Sequence, residues 1–267
     1  MNNFAGDPNC IALWRFENGA LTADSKGGNT LTAAGTPTAD QVNFKEGAAS
    51  VQMQAATPTD EFSIADASLD AGFPLKSGDA LKKISVTFWI RFISLPMSGF
   101  CEQIFTKWDS FDYSIAIAAK YPPADNPKMQ LWISNDGIVW NEYLHASTLQ
   151  NGRWYHVGVT YQCSDDAYRI RIWDDTAGAI LGVDKTGVAA HVYVANGYVE
   201  ISNDQAGAKL NALVDEMVIF NDILSVAQID AIRAGTYGKE APPIFGGLNK
   251  KRVPLAAAQK VGMLAEL

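Results

Sequence analysis

The feature that most constrains this chain is alternation. In Lys83-Ile-Ser-Val-Thr-Phe-Trp-Ile-Arg-Phe92 every second residue is apolar. Side chains of a strand point to opposite faces in turn, so Ile84, Val86, Phe88, Ile90 and Phe92 share one face. Segments 154–161, 168–173, 198–202 and 213–220 repeat that period of two. A helix would scatter these apolar residues around its circumference, whereas a strand collects them on one side. So many half-buried strands, with almost no helical periodicity, imply an all-β sandwich.

Turn residues punctuate the pattern. Met129–Ser134 and Ile138–Trp140 flank Asn135-Asp136-Gly137, where Asp-Gly supplies the positive φ of a tight hairpin. Asn151-Gly152, Asp174-Asp175, Asn203-Asp204 and Gly207 mark further turns. One helix is expected near residues 225–234, because Ser225-Val-Ala-Gln228 is a capping box that precedes Ile229 and Ile232 and ends at Gly235. A length of 267 residues with 48% hydrophobic content suits one domain, expected over residues 1–238. Ala241-Pro-Pro243 and Gly246-Gly247 then interrupt regular structure, so residues 239–267 are expected to form a C-terminal extension or docking arm.

The net charge of −8 argues against nucleic acid as a partner. Its distribution is uneven: five basic and two acidic residues from Lys239 onward give the arm +3 and leave −11 for the body. Such complementarity steers association, so the arm, through Lys250, Lys251, Arg252, Leu255, Leu264 and Leu267, is expected to dock on this chain or a partner. The opening residues carry neither a basic nor an apolar signal-like region, so no classical signal peptide is expected. No apolar run reaches roughly 18 residues, so no membrane insertion is expected either. Cys10, Cys101 and Cys163 are odd in number and far apart, which points to buried free thiols. His145, His156 and His191 sit at no metal spacing from one another or from a cysteine.

Several segments together resemble the laminin G-like branch of the concanavalin A-like lectin/glucanase superfamily, as found in bacterial and phage proteins. Leu13-Trp-Arg-Phe-Glu-Asn-Gly19 with Asp24-Ser-Lys-Gly-Gly-Asn29 is similar to its first strand and loop. Ser85–Ile90, Gly152–Tyr161 and Val214–Asn221 with Ile223–Ile229 are similar to its inner strand, its tryptophan-histidine strand and its closing strand and helix. The resemblance covers residues 10–238 and implies an antiparallel two-sheet jelly roll that serves as glycan binder, adhesion module, enzyme appendage or virion component.

Two functional classes follow. The first is a non-catalytic virion component, a phage capsid decoration or tail protein that assembles through its arm with itself or with other virion or surface proteins, and that also binds cell-surface glycans. The second is a carbohydrate-binding or adhesion module at a bacterial surface. A glycoside hydrolase or lyase is the distant third, because no Glu-x-Asp-x-x-Glu pattern sets two acids on one face, and Asp215 and Glu216 are adjacent. Sugars present an apolar CH face and a ring of hydroxyls, which calls for aromatic faces beside polar groups. Trp108, Asp109 and Asp112, and Trp140, Asn141 and Tyr143, offer that mixture, while Trp14, Trp89 and Trp132 are expected in the core. Calcium (Ca2+), which the resemblance implies, wants several oxygen ligands, for which Asp24 and Asp215 are the candidates if the first loop meets the closing strand.

Overall fold

A computed structural model describes residues 1–54, 60–109, 112–123, 125–202 and 207–239. The strands in chain order are β1 (Cys10–Trp14), β2 (Thr32–Ala34), β3 (Thr38–Asp40), β4 (Ser50–Met53), β5 (Glu61–Ile64), β6 (Lys83–Ser94), β7 (Cys101–Asp109), β8 (Asp112–Lys120) and β9 (Lys128–Ser134). They continue as β10 (Trp140–Thr148), β11 (Trp154–Gln162), β12 (Ala167–Asp174), β13 (Ala179–Ile180), β14 (Lys185–Val188), β15 (Tyr198–Ile201), β16 (Gly207–Ala208) and β17 (Asn211–Phe220), followed by helix α1 (Val226–Arg233). A nine-stranded sheet runs β13-β12-β11-β6-β17-β4-β3, with β1 on β17 and β14 on β12. An eight-stranded sheet runs β10-β9-β8-β7-β15-β5-β2, and every pairing in both sheets is antiparallel except the short β16–β7 contact.

The alternation read from the sequence is what joins them. Ile84, Val86, Phe88, Ile90 and Phe92 meet Tyr155, Val157, Val159, Ile170 and Ile172 from neighbouring strands and Phe105, Ile115, Ile117, Leu131 and Ile133 from the facing sheet, all buried in one cluster. Each such side chain contributes about 1.5–3 kcal/mol on burial.

The register slips in several strand pairs, and two of these slips change which residues face the core. The register of β17 on β6 slips between Asp215 and Val218, where Glu216 has a φ of 47°. The core-facing residues switch there from Ala212 and Val214 to Met217 and Ile219, as one inserted residue requires. The register of β7 on β8 slips between Gln103 and Phe105, which lets both Ile104 and Phe105 enter the core.

Helix α1 forms where the capping box places it: Ser225 Oγ accepts from Gln228 N–H, and Gln228 Oε1 accepts from Ser225 N–H. It lies on the outer side of the nine-stranded sheet, where Ile229 and Ile232 cluster with Phe4, Leu13, Val218 and Phe220. Gly158 makes room, since a Cβ there would fall 2.7 Å from Ile229 Cγ2. The β9–β10 hairpin lies at the expected place but closes differently. Residues 135–139 form a five-residue loop in which Asp136 accepts from the N–H groups of Ile138 and Val139, and only Gly137 has positive φ, 81°. Ile138 and Val139 are therefore exposed loop residues instead of strand residues. The three thiols are free and buried. The arm residues Lys250, Lys251, Arg252, Leu255, Leu264 and Leu267 lie outside the described residues.

Candidate functional site

The eight-stranded sheet turns its second face away from the core, and that face gathers aromatics. Trp108 on β7, Tyr113 on β8, Trp132 on β9 and Trp140 on β10 come from four adjacent strands. Pairing aligns them: Trp108 faces Tyr113, and Trp140 and Glu142 face Ser134 and Trp132. The Trp140 ring stacks on Trp108 and on Trp132 at 4.8 Å each and lies 4.0 Å from Tyr113. Trp108 and Trp132 are buried, whereas Trp140 and Tyr113 keep part of their surface open. With Lys120 and Glu142 these rings line a cavity of about 280 Å³.

Polar groups beside the rings are under-satisfied. The indole N–H groups of Trp108 and Trp132, both amide atoms of Gln103 and Oε1 of Gln130 are buried with no hydrogen-bond partner. Each such group costs about 1–3 kcal/mol unless a water or a ligand reaches it. Gln103 and Gln130 flank Ala118 in the strand ladder, so the polar strip continues from the aromatic wall over a floor of small residues, Ala116 and Ala118. Gln130 Nε2 donates to Cys101 Sγ at 3.2 Å, and burial pushes that thiol up to about 12, which leaves it no nucleophile. Glu142 is held by Lys120 Nζ at 2.6 and 2.7 Å.

The sequence expectations meet this geometry unevenly. Trp108 and Trp140 are brought together. Asn141 and Tyr143 are not, because strand alternation turns them to the other side: Tyr143 packs on the core with its ring 4.7 Å from Tyr168, and its hydroxyl accepts from Ala190 N–H. Asp112 accepts from Asn196 N–H at 3.0 Å and so fastens a neighbouring loop. Asp109 ends β7 opposite Asp112. Trp132, expected in the core, faces outward, since Met129, Leu131 and Ile133 take the inward positions of β9. That alternation was the available signal for Trp132, and Tyr113 carried none.

The two carboxylates considered for calcium share no partner. Asp24 accepts four hydrogen bonds, from the backbone N–H of Leu13, Lys26 and Asn29 and from the Asn29 amide. Asp215 is fully buried and accepts from Lys45 and Glu46 N–H; burial pushes its carboxyl up to about 8, which leaves it protonated at neutral pH.

A sandwich of two antiparallel sheets with an aromatic outer face is the architecture of a lectin-like domain. The chain belongs to the concanavalin A-like lectin/glucanases superfamily, whose laminin G-type family model matches residues 65–230. No curated protein matches the chain in a sequence search. Among solved structures it is similar to domain 4 of AbnA, a GH43 extracellular arabinanase from Geobacillus stearothermophilus in complex with arabinotriose, at 16% identity and a TM-score of 0.59 over 84% of this chain and 98% of that one. It is also similar to the botulinum neurotoxin serotype C1 binding domain, at 13% identity and a TM-score of 0.60 over 85% of this chain and 52% of that one. The chain thus spans about half the length of the toxin domain, and at these identities the likeness is one of fold. The fold is not by itself catalytic. Among the described residues no helix is long and apolar enough to cross a membrane.

Proposed function

We propose that this chain is a non-catalytic carbohydrate-binding module whose ligand stacks on Trp140 and Tyr113. The observation that carries this reading is the four-ring cluster with open ring surface at its rim and orphaned polar groups beside it. The rings offer a sugar's CH face an apolar platform, and the unpaired indole N–H and amide groups match its hydroxyls. The fold relatives support the class, since one was captured with arabinotriose and a botulinum neurotoxin type C structure is described by its interaction with two ganglioside molecules. The test is a printed array that includes arabino-oligosaccharides and ganglioside glycans. Binding by the full chain that Trp140→Ala weakens at least tenfold supports the reading; no bound glycan at millimolar concentration removes it.

The charge contrast between arm and body favours assembly as a second role, at a virion or cell surface, with the arm docking on a neighbouring copy or on another surface protein. A chain ending at Lys239 tests it by light scattering: an unchanged oligomeric state and melting temperature would remove that role. Calcium at Asp24 and Asp215 is tested separately, and melting that is insensitive to chelation, with no metal by elemental analysis, dismisses it.

A further inference from the structure

Outside the aromatic cluster, the β11–β12 turn and the segment after β14 bring together three side chains of metal-binding chemistry. Cys163 Sγ lies 3.4 Å from His191 Nδ1, and that nitrogen lies 3.1 Å from Asp166 Oδ1. One ligand atom from each residue falls within 4.8 Å of the others, the single such group among the described residues. Tetrahedral zinc with a sulfur at about 2.3 Å and a nitrogen and an oxygen at about 2.0–2.1 Å has S···N and N···O edges of about 3.5 and 3.3 Å. The S···Nδ1 and Nδ1···O edges are close to those values; the sulfur also lies 3.2 Å from Nε2, beside the ring, so the exposed imidazole has to turn to aim Nδ1 at an ion. We propose that Cys163, His191 and Asp166 form a three-ligand site for a thiophilic divalent cation of the zinc type, with its fourth position open to solvent.

The surroundings suit that role. Tyr161 Oη donates to Asp166 Oδ1 at 2.7 Å, the outer-shell donor that orients a ligating carboxylate. Asp166 holds a φ of 54°, a left-handed conformation that aims its side chain from the turn and costs backbone energy. Cys163 is fixed by its N–H to Lys82 carbonyl, while the His191 side chain is 62% exposed and free to reorient. A cavity of about 360 Å³ bordered by Cys163, Ser164 and His191 gives an ion its entry. A thiolate and a carboxylate together neutralise a divalent ion, and binding releases the thiol proton. The ion would pin residues 189–197, which have no regular secondary structure. Tyr193, in that stretch, packs against Gly137 in the hairpin beside the aromatic site.

The test uses the full, tag-free chain stripped with a chelator and titrated with Co2+ as a spectroscopic probe, then with Zn2+. The expected result is a thiolate-to-cobalt charge-transfer band that saturates at one equivalent, a band lost in Cys163→Ser and an affinity weakened at least tenfold in His191→Ala. Tyr161→Phe, which removes the donor to Asp166 together with the acceptor for Val192 N–H, is expected to weaken affinity by about tenfold. Cys10 and Cys101 cannot supply the band, since both are buried and pushed up to about 12. Zn2+ is expected to raise the melting temperature of the wild type and not of His191→Ala, whose exposed side chain can be removed without unfolding the chain. Absence of the band at saturating Co2+, or its survival in Cys163→Ser, overturns the proposal.

Discussion

The two sheets of this sandwich carry tryptophans on their outer faces and treat them in opposite ways. On the nine-stranded sheet two of the outer indoles are capped by cations: Lys45 Nζ sits 4.6 Å from the Trp89 ring and the Arg233 guanidinium 3.8 Å from Trp173, while Trp154 at the start of β11 is half-buried. Arg171 pairs with Asp184 and Asp230 on the same face, and helix α1 packs on part of it. On the eight-stranded sheet the indoles stack on one another; the N–H groups of Trp108 and Trp132 have no partner there, as that of Trp173 has none on the other sheet. One face covers two of its three indoles with cations; the other stacks its indoles into one cluster with open ring surface at the rim. Identical residue types therefore argue for packing on one side and for binding on the other, and only their neighbours decide.

The comparison breaks most forcefully at Trp132. Its ring is 5% exposed and supports Trp140 from below, so Trp132→Ala is expected to cost about 3–5 kcal/mol of stability and to abolish glycan binding together. Trp173→Ala on the other face removes a half-buried ring and a cation–π contact of about 0.5–1 kcal/mol, and is expected to leave binding unchanged. Urea unfolding and glycan titration of both variants measure the contrast; equal binding losses would show that the faces do not differ in function.

The covered face also carries buried titratable groups. Burial pushes Asp215 from 3.8 to about 8 and Glu216 from 4.5 to about 7, although Arg15 pairs with Glu216. A carboxyl whose pKa rises on folding holds a proton that the unfolded chain has already released. Its contribution is complete below the unfolded value and is lost as pH climbs toward the folded one. His156, pushed down to about 3 by burial and then by Arg233 and Arg171, has the opposite sign and weakens the fold as pH drops below 6.5. With Glu102, which burial also pushes up to about 8, three acids outweigh His156 and His145, which burial pushes down, so stability is expected to fall between pH 5 and 7. Asp215→Asn should reduce the fall by up to about 1.4 kcal/mol per pH unit, which urea unfolding at pH 5, 6 and 7 would reveal.

Gly158→Ala tests the cover itself. The new Cβ collides with Ile229, a β-branched side chain that cannot swing away, and the helix must lift at a cost of about 1–3 kcal/mol. Hydrogen exchange is expected to rise in residues 226–233 and not in β7 to β10; a uniform rise would mean that the two faces are not independent.

Alternation made the strands legible because one buried face per strand is a local property. The bulges at Glu216 and Gln103 were not, since one inserted residue leaves an apolar run looking continuous. The same rule, applied one residue further, would have separated Trp140 from Asn141 and Tyr143 and turned Trp132 outward. Cys163 and His191 lie 28 residues apart and meet only because β12 and β14 fold back between them, so no spacing in the sequence announces them.

The finest test separates platform from support at Trp140. Its ring lies at the rim of the cluster with surface still open, and Trp108, Trp132 and Tyr113 pack on one another without it. Trp140→Ala should therefore weaken glycan binding by about tenfold or more, roughly 1.4 kcal/mol, while the melting temperature moves much less than in Trp132→Ala. Trp140→Phe keeps a smaller apolar face and should recover part of the affinity, because stacking needs ring area and not the indole N–H. Equal losses in the phenylalanine and alanine variants would mean that Trp140 acts through its nitrogen, and the platform role would pass to Tyr113.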